Sequence, residues 1–240
     1  MTCRSFTFSS LIAAIGALAG VLSAASVTGI VELIDSNIAA VAKQKDYSGV
    51  VVWLERVDGK TPPVTAGTHT ILQKNKRFTP HVSVITVGTV VDLPNRDPIF
   101  HNAFSNFAGQ PFDTGLYPPG STQKIKFRRA GVVRVFCNIH STMSAVIVVL
   151  ETPYFAKSAR EGTFKIDDVP PGEYTLKFWH ERAAEDKLKR LERKVVVESG
   201  NLHVPAQLIS ESGFVQLPHK NKYGREYGPE PASAVPYGGR

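Results

Sequence analysis

The chain reads as an all-β protein. Three observations predict this: short runs rich in Val, Ile, Thr and aromatic residues recur along most of its 240 residues, Gly, Pro and Asp punctuate them, and no long stretch carries helical periodicity. Runs of this kind, each a few residues long and separated by turn signals, bury one face and stack as sheets into sandwiches.

The N-terminus carries Arg4, an uncharged run over residues 11–22 rich in Ala, Leu, Ile and Gly, and then the small residues Ser23, Ala24, Ala25 and Ser26. This order predicts a secretory signal peptide over residues 1–25, cleaved after Ala25. The apolar run falls short of the ~20 residues that a membrane helix needs, and no later stretch approaches that length. The expected product is therefore periplasmic or otherwise exported, and soluble, with no membrane span after signal cleavage. Cleavage leaves 240 − 25 = 215 residues and removes Cys3, so one cysteine, Cys137, remains and no internal disulfide can form.

Strands are predicted over residues 27–34, 49–54, 81–87, 89–93, 122–127, 132–136, 145–150, 173–179 and 194–198. Residues 36–45 read as a short helix or a loop. The charged stretch 182–194, with Leu188 and Leu191 three residues apart, reads as one exposed helical turn or an extended connection. From Gly213 onward Pro, Gly, Tyr and Lys predominate, and apolar residues are too few to offset the entropy of ordering the chain. Residues 210–240 are expected to form a disordered tail.

The 28 basic and 21 acidic side chains give a formal charge of +7, or +6 without Arg4. This mild excess suits solubility or an acidic partner. No strand interleaves aromatic and basic residues in the way that stacks bases, so no nucleic-acid partner is expected.

The chemistry concentrates in Cys137-Asn138-Ile139-His140-Ser141-Thr142-Met143, which holds the only cysteine and the only methionine of the exported chain. Taken singly, Cys137 is as readily a buried core thiol, Met143 a core filler and His101 a structural histidine. Together, thiolate, imidazole and thioether on one loop form the soft ligand set that copper prefers. The strand patterns over 132–136 and 145–150 pin this loop at both ends, and His101, in Asp97-Pro98-Ile99-Phe100-His101-Asn102-Ala103-Phe104, supplies a fourth ligand. Structural zinc fits less well, because its sites use paired cysteines. A dinuclear copper centre needs a second cysteine. His69, His81, His180, His203 and His219 form no second ligand cluster in the sequence, which argues against a multicopper oxidase; no enzyme activity is expected.

His101-Asn102 followed by Cys137-x-x-His140-x-x-Met143 resembles the cupredoxins, and the short gaps resemble amicyanin and pseudoazurin more than plastocyanin. Val87-Gly88-Thr89-Val90-Val91-Asp92-Leu93-Pro94-Asn95, Phe112-Asp113-Thr114-Gly115-Leu116, Pro119-Gly120-Ser121 and Ala130-Gly131-Val132 extend the resemblance over roughly residues 70–150. It implies a Greek-key β-sandwich holding one type 1 copper ion, with His101, Cys137 and His140 as equatorial ligands and Met143 as the axial one. It implies that Asn102 ties the two ligand segments together, whereas Asn138 stands where Ser or Thr is often found. The implied function is one-electron transfer with a redox protein partner, a dehydrogenase or a cytochrome. Electrons would pass through the edge of His140, with Phe100, Phe104, Phe107 or Pro118 in an apolar docking patch. Copper delivery or storage without a redox partner, and an interaction module with structural copper, are the rival functions.

Residues 162–180 contain two strand patterns around Asp168-Val169-Pro170-Pro171-Gly172 and resemble the carboxypeptidase regulatory-like, or transthyretin-like, β-sandwich, as do Thr28-Gly29-Ile30-Val31 and residues 49–54. The expected organisation is this second small sandwich split over residues 26–69 and 151–209, with the copper domain, 70–150, inserted; a tandem arrangement is the alternative. Proteins of similar architecture are labelled methylamine-utilisation proteins. His180 and Glu181 are adjacent on a strand pattern and so point to opposite faces, which argues against a joint acid–base role.

Overall fold

The computed structural model describes residues 24–228, apart from 108, 216 and 218. The expected signal peptide, except Ala24 and Ala25, lies outside the described residues, as do residues 229–240. Among the described residues no helix is long and apolar enough to cross a membrane.

The strands are β1 (Ala25–Ile34), β2 (Val51–Arg56), β3 (Thr68–Thr70), β4 (Leu72–Lys74), β5 (Arg77–Thr79), β6 (Val82–Thr86), β7 (Val90–Pro94), β8 (Phe104–Ser105) and β9 (Phe112–Asp113). They continue as β10 (Thr122–Lys126), β11 (Gly131–Phe136), β12 (Ser144–Leu150), β13 (Phe155–Lys157), β14 (Thr163–Val169), β15 (Gly172–Trp179), β16 (Arg193–Val197) and β17 (Leu202–Ser210). Two short helices interrupt them, α1 (Ala39–Ala42) and α2 (Glu185–Leu191). The all-β class is what the sequence predicts.

The two ambiguous segments resolve as helices of one to two turns. In α2, Glu185 and Asp186 sit in the first turn and Lys189 and Arg190 in the last, the arrangement that complements the helix dipole, while Leu188 is buried. Most of this charge run is a wet face around one apolar anchor.

The strands build two cores. In the first, the sheet β14-β1-β17 faces the sheet β13-β2-β15-β16 across Val27, Val31, Leu54, Ile166, Tyr174 and Leu176. In the second, β10-β7-β3 faces β6-β12-β11-β8-β9 across Val91, Leu93, Phe127, Val133, Val135 and Ile147. Strand β12 is buried along nearly its whole length. Its Ala145, Ile147 and Val149 enter the second core, while Val148 and Leu150 face a seam with Val51, Trp53, Phe155 and Trp179. A strand covered on both faces reads as a continuous apolar run rather than an alternating one, which is the pattern of Ala145-Val146-Ile147-Val148-Val149-Leu150.

Strand β17 has no counterpart among the predicted strands. It runs parallel to β1 at the edge of its sheet, and Gly29 and Val31 pair with Val204 and Gln207, so the ladder absorbs one extra residue where Pro205 sits. A proline is tolerated at such a bulged edge but masks the strand pattern. The described part of the expected disordered tail also departs from prediction. Glu211 is buried against His180, Arg182 and Ser36, and residues 219–227 pack on the loop that follows β11.

Candidate metal centre

Strand β7 leads into the first ligand segment through a turn that Asn95 organises. Its side-chain amide donates to Ile99 O at 2.8 Å, and its side-chain oxygen accepts from the Asp97 amide at 3.0 Å. The His101 amide donates to Tyr117 O at 3.2 Å and the Tyr117 amide to His101 O at 2.8 Å, so the histidine backbone is fixed from both sides. The second segment follows β11, which ends at Phe136, and precedes β12, which starts at Ser144. The Cys137 amide donates to Met143 O at 3.1 Å and the Met143 amide to His140 O at 3.1 Å, closing the loop tightly on itself.

This construction brings three of the sequence-predicted ligands together. Cys137 Sγ lies 3.9 Å from His101 Nδ1 and 3.5 Å from His140 Nδ1, and the three donor atoms all lie within 4.8 Å of one another. His101 and Cys137 are 0 % exposed and His140 is 8 % exposed. The two imidazoles meet edge-on, centroids 4.9 Å apart at 63°. Met143 is fully buried in the same core as Cys137. Among the described residues this is the one cluster of three or more potential His, Cys, Asp or Glu ligands. Of the other histidines, His69 pairs with Ser83, His81 with Glu181 and His180 with Glu211.

The cluster fits a first-row transition metal. Imidazole nitrogen and thiolate sulfur at about 2.0 and 2.3 Å from one centre, 120° apart, lie about 3.7 Å from each other. The two Sγ–Nδ1 separations, 3.5 and 3.9 Å, bracket that value. Burial pushes the Cys137 thiol up, against backbone hydrogen bonds from Ile139, Asn102 and His140 that favour the thiolate. A bound cation supplies what those amides alone do not, because a coordinating cysteine binds as thiolate.

A residue that the sequence reading quoted without a role proves central. The buried Asp97 carboxylate accepts from His101 Nε2 at 2.7 Å and from the amides of Lys76 at 2.8 Å and Asn75. Burial, which would raise its pKa, is outweighed by the bonds from Lys76, His101 and Asn75, and the carboxyl stays below its usual range. Asn75 and Lys76 both have positive φ, +56° and +54°, in the β4–β5 turn, so their amides converge on one anion. A carboxylate only accepts, so the His101 proton resides on Nε2 and the Nδ1 lone pair faces Cys137. The sequence signal was an Asp four residues before a ligand histidine.

Asn102, in the first candidate ligand segment, bonds to the second. Its side-chain oxygen accepts from the Asn138 amide at 3.1 Å, joining the two ligand segments, and its amide donates to Asp113 at 2.6 Å and to Gly115 O at 3.2 Å. The expected docking patch is redrawn. Phe104 is buried, packed near Phe136 with ring centroids 5.9 Å apart, and Phe107 is half-buried against the second core. Phe100 and Pro118 are exposed, and so are Leu116, adjacent to Tyr117, and Ile139, adjacent to His140.

No protein-family model and no curated protein sequence matches the chain. Among solved structures it is similar to a copper-containing nitrite reductase from Thermus scotoductus SA-01, with 29 % identity over 38 % of this chain and a TM-score of 0.34. The chain covers 25 % of that reductase's length. It is also similar to a purple cupredoxin from Nitrosopumilus maritimus, at 24 % identity over 34 % of this chain and 99 % of that one, TM-score 0.32. A reduced mutant of amicyanin is similar at 19 % identity over 36 % of this chain and 86 % of that one, TM-score 0.33.

Proposed function

We propose that the chain is an exported single-copper electron carrier, in which His101 Nδ1, Cys137 Sγ, His140 Nδ1 and the Met143 thioether would hold the copper. The observation that carries this reading is the buried His101, Cys137 and His140 cluster, whose two sulfur–nitrogen separations match those of a trigonal N, N, S set. Copper held there supplies a one-electron couple.

The protein's own part is to hold these ligands still. Asp97 orients His101, and the Cys137 and Met143 backbones close the loop. Ligands fixed by packing and by hydrogen bonds need little rearrangement when charge changes, which favours fast electron exchange. Burial also supports the carrier reading over the delivery one. Handing a metal to another protein requires ligands that an incoming donor can reach, and His140 alone reaches the surface. The exposed apolar side chains of Phe100 and Ile139 adjoin His101 and His140 in the chain, those of Leu116 and Pro118 adjoin Tyr117, which pairs with the His101 backbone, and all suit brief contact with a redox protein partner. We assign the copper unit to residues 70–150, inserted in a transthyretin-like sandwich that spaces or docks it.

Optical and electron-spin-resonance spectra of the copper-loaded chain test the proposal, with Cys137→Ser alongside. The wild type is expected to show an intense visible thiolate-to-copper band and a reversible one-electron potential, and Cys137→Ser to lose the band. A copper-loaded wild type without that band refutes the proposal. A colourless form that gives its metal readily to a chelator would instead establish delivery.

A further inference from the structure

We infer that the C-terminal segment 219–227 is a structural part of the metal centre, a strap whose Lys222 and Tyr227 position the Cys137 loop and hold the metal in. The inference rests on the copper reading above and extends it to residues outside the expected copper unit.

The contacts form a closed ring through three distant pieces of chain. Asn102, beside His101, accepts from the Asn138 amide at 3.1 Å. The Asn138 side chain, beside Cys137, accepts from the Lys222 amide at 2.9 Å. Lys222 Nζ reaches Asp113 at 2.6 Å, and Asp113 accepts from the Asn102 side chain at 2.6 Å, which completes the circuit. A lone Lys–Asp pair at a partly exposed position contributes little. Here it closes a network in which each member fixes the next, and such networks are coupled beyond the sum of their pairs.

A second set of contacts acts on the ligand residue itself. The Tyr227 hydroxyl donates to the Cys137 carbonyl at 2.6 Å. Its single proton is thereby committed, so the 3.2 Å approach to His219 Nδ1 has the histidine donating, and the same Nδ1–H also faces Lys220 O at 3.1 Å. The His219 ring stacks on Phe136 at 4.4 Å and 26°, and Tyr227 meets it edge-on at 5.2 Å. The strap therefore holds Phe136, Cys137 and Asn138 in succession, at the point where β11 turns into the ligand loop. This also gives Asn138 a purpose. Its side chain spans to the strap while its backbone amide stays on Asn102.

The test uses the full chain with Tyr227→Phe, which keeps the ring and removes the hydroxyl, and Asn138→Ala, which removes the acceptor for Lys222. Melting of the copper-free forms checks folding, and either variant alone suffices if the other does not fold. Two readouts are measured: amide hydrogen exchange at Lys222 in the copper-free chain, and the half-time for loss of Cu(I) to an excess of a Cu(I)-specific chelator. The Lys222 amide is expected to be protected in the wild type and to lose that protection in Asn138→Ala. Copper loss is expected to be about tenfold faster or more in both variants, the effect typical of removing a residue that supports a metal ligand, with an altered spin-resonance spectrum. The double variant should lose copper little faster than the worse single one, because both release the same strap. Unprotected Lys222 in the wild type, or loss half-times within twofold of wild type in both variants, overturns the inference while leaving the copper reading intact. A wild type that takes up no copper overturns the carrier reading and the retention role together; the exchange data then report strap docking separately.

Discussion

Replacing Asp97 by Asn changes one oxygen to nitrogen in a buried pocket, yet it should loosen the metal markedly although no ligand is touched. The carboxylate collects three donors, His101 Nε2 and the amides of Asn75 and Lys76. An amide offers one accepting oxygen, so at least one donor then faces an NH2 group. The Asn75 amide bonds Oδ1, whereas the Lys76 amide and His101 Nε2 share Oδ2, so an amide that keeps its oxygen on Asn75 turns its NH2 towards His101 Nε2, and the ring can answer only by moving its proton to Nδ1. That is the atom facing Cys137 Sγ, whose lone pair the metal needs. Losing a hydrogen bond to a charged group costs about 1.5–3 kcal/mol. At about 1.4 kcal/mol per decade this is roughly 10- to 150-fold in metal affinity. Competition between the protein and a chelator of known affinity, followed optically for wild type and Asp97→Asn, measures it directly. An affinity within threefold of wild type, in a variant that melts normally without metal, would show that His101 is oriented by its backbone pairing with Tyr117 rather than by Asp97.

Two further outcomes concern the sandwich outside the ligand loop. Gly162 has φ +80°, and a Cβ there would lie 1.9 Å from Val31 O, a backbone atom that cannot move aside while β1 is paired. Gly162→Ala should therefore destabilise by more than about 2 kcal/mol in urea unfolding, combining left-handed strain with the clash; a loss below about 0.5 kcal/mol would contradict the close approach. Glu211, bonded to His180, Ser36 and Arg182, is held at about 2 against burial that would raise it. A depressed carboxyl stabilises fully above its ordinary value of 4.5 and loses that contribution as pH falls towards 2, so about 3 kcal/mol should disappear over this range. Glu211→Gln should flatten that part of the stability profile, and an unchanged slope between pH 4.5 and 2 would exclude Glu211 as its source.

The sequence exposes the candidate cluster because Cys and Met number only two each in 240 residues, and the loop between two strong strand patterns holds one of each. Residues 132–136 and 145–150 carry those patterns through β-branched side chains, and both segments form strands. What supports the ligands is less legible, for a physical reason. The β4–β5 turn that aims two amides at Asp97 is set by left-handed backbone at Asn75 and Lys76, some twenty residues before it. The strap lies about eighty residues beyond the loop it holds. Its low apolar content reads as disorder, because hydrophobic burial is the usual means of offsetting chain entropy. Lys222, Tyr227 and His219 are ordered instead by polar groups that the ligand loop leaves pointing outward, and no local pattern reveals such groups. Strand β17 was hidden similarly, by a proline that a bulged edge accommodates.

Three independent supports therefore converge on the hairpin of β11 and β12 that carries Cys137. One face of β12 is set in the core shared with β7 and β10, and Val148 and Leu150 on its other face are set in the seam against Val51, Trp53 and Trp179. Strand β6 holds its edge in parallel pairing from Val82 to Thr86. The strap then holds the loop end through the Asn138 side chain and the Cys137 carbonyl. A loop held this way keeps its ligand spacing whether or not a metal is present, and the cost of fixing that spacing is met on folding rather than on binding. Such preorganisation contributes nothing to a protein that must release its metal. It is what a carrier requires, because every rearrangement avoided at the ligands lowers the barrier to exchanging an electron. The inserted arrangement proposed for the copper unit follows the same logic, since a hairpin seated between two cores has less freedom than one at the edge of a single sandwich.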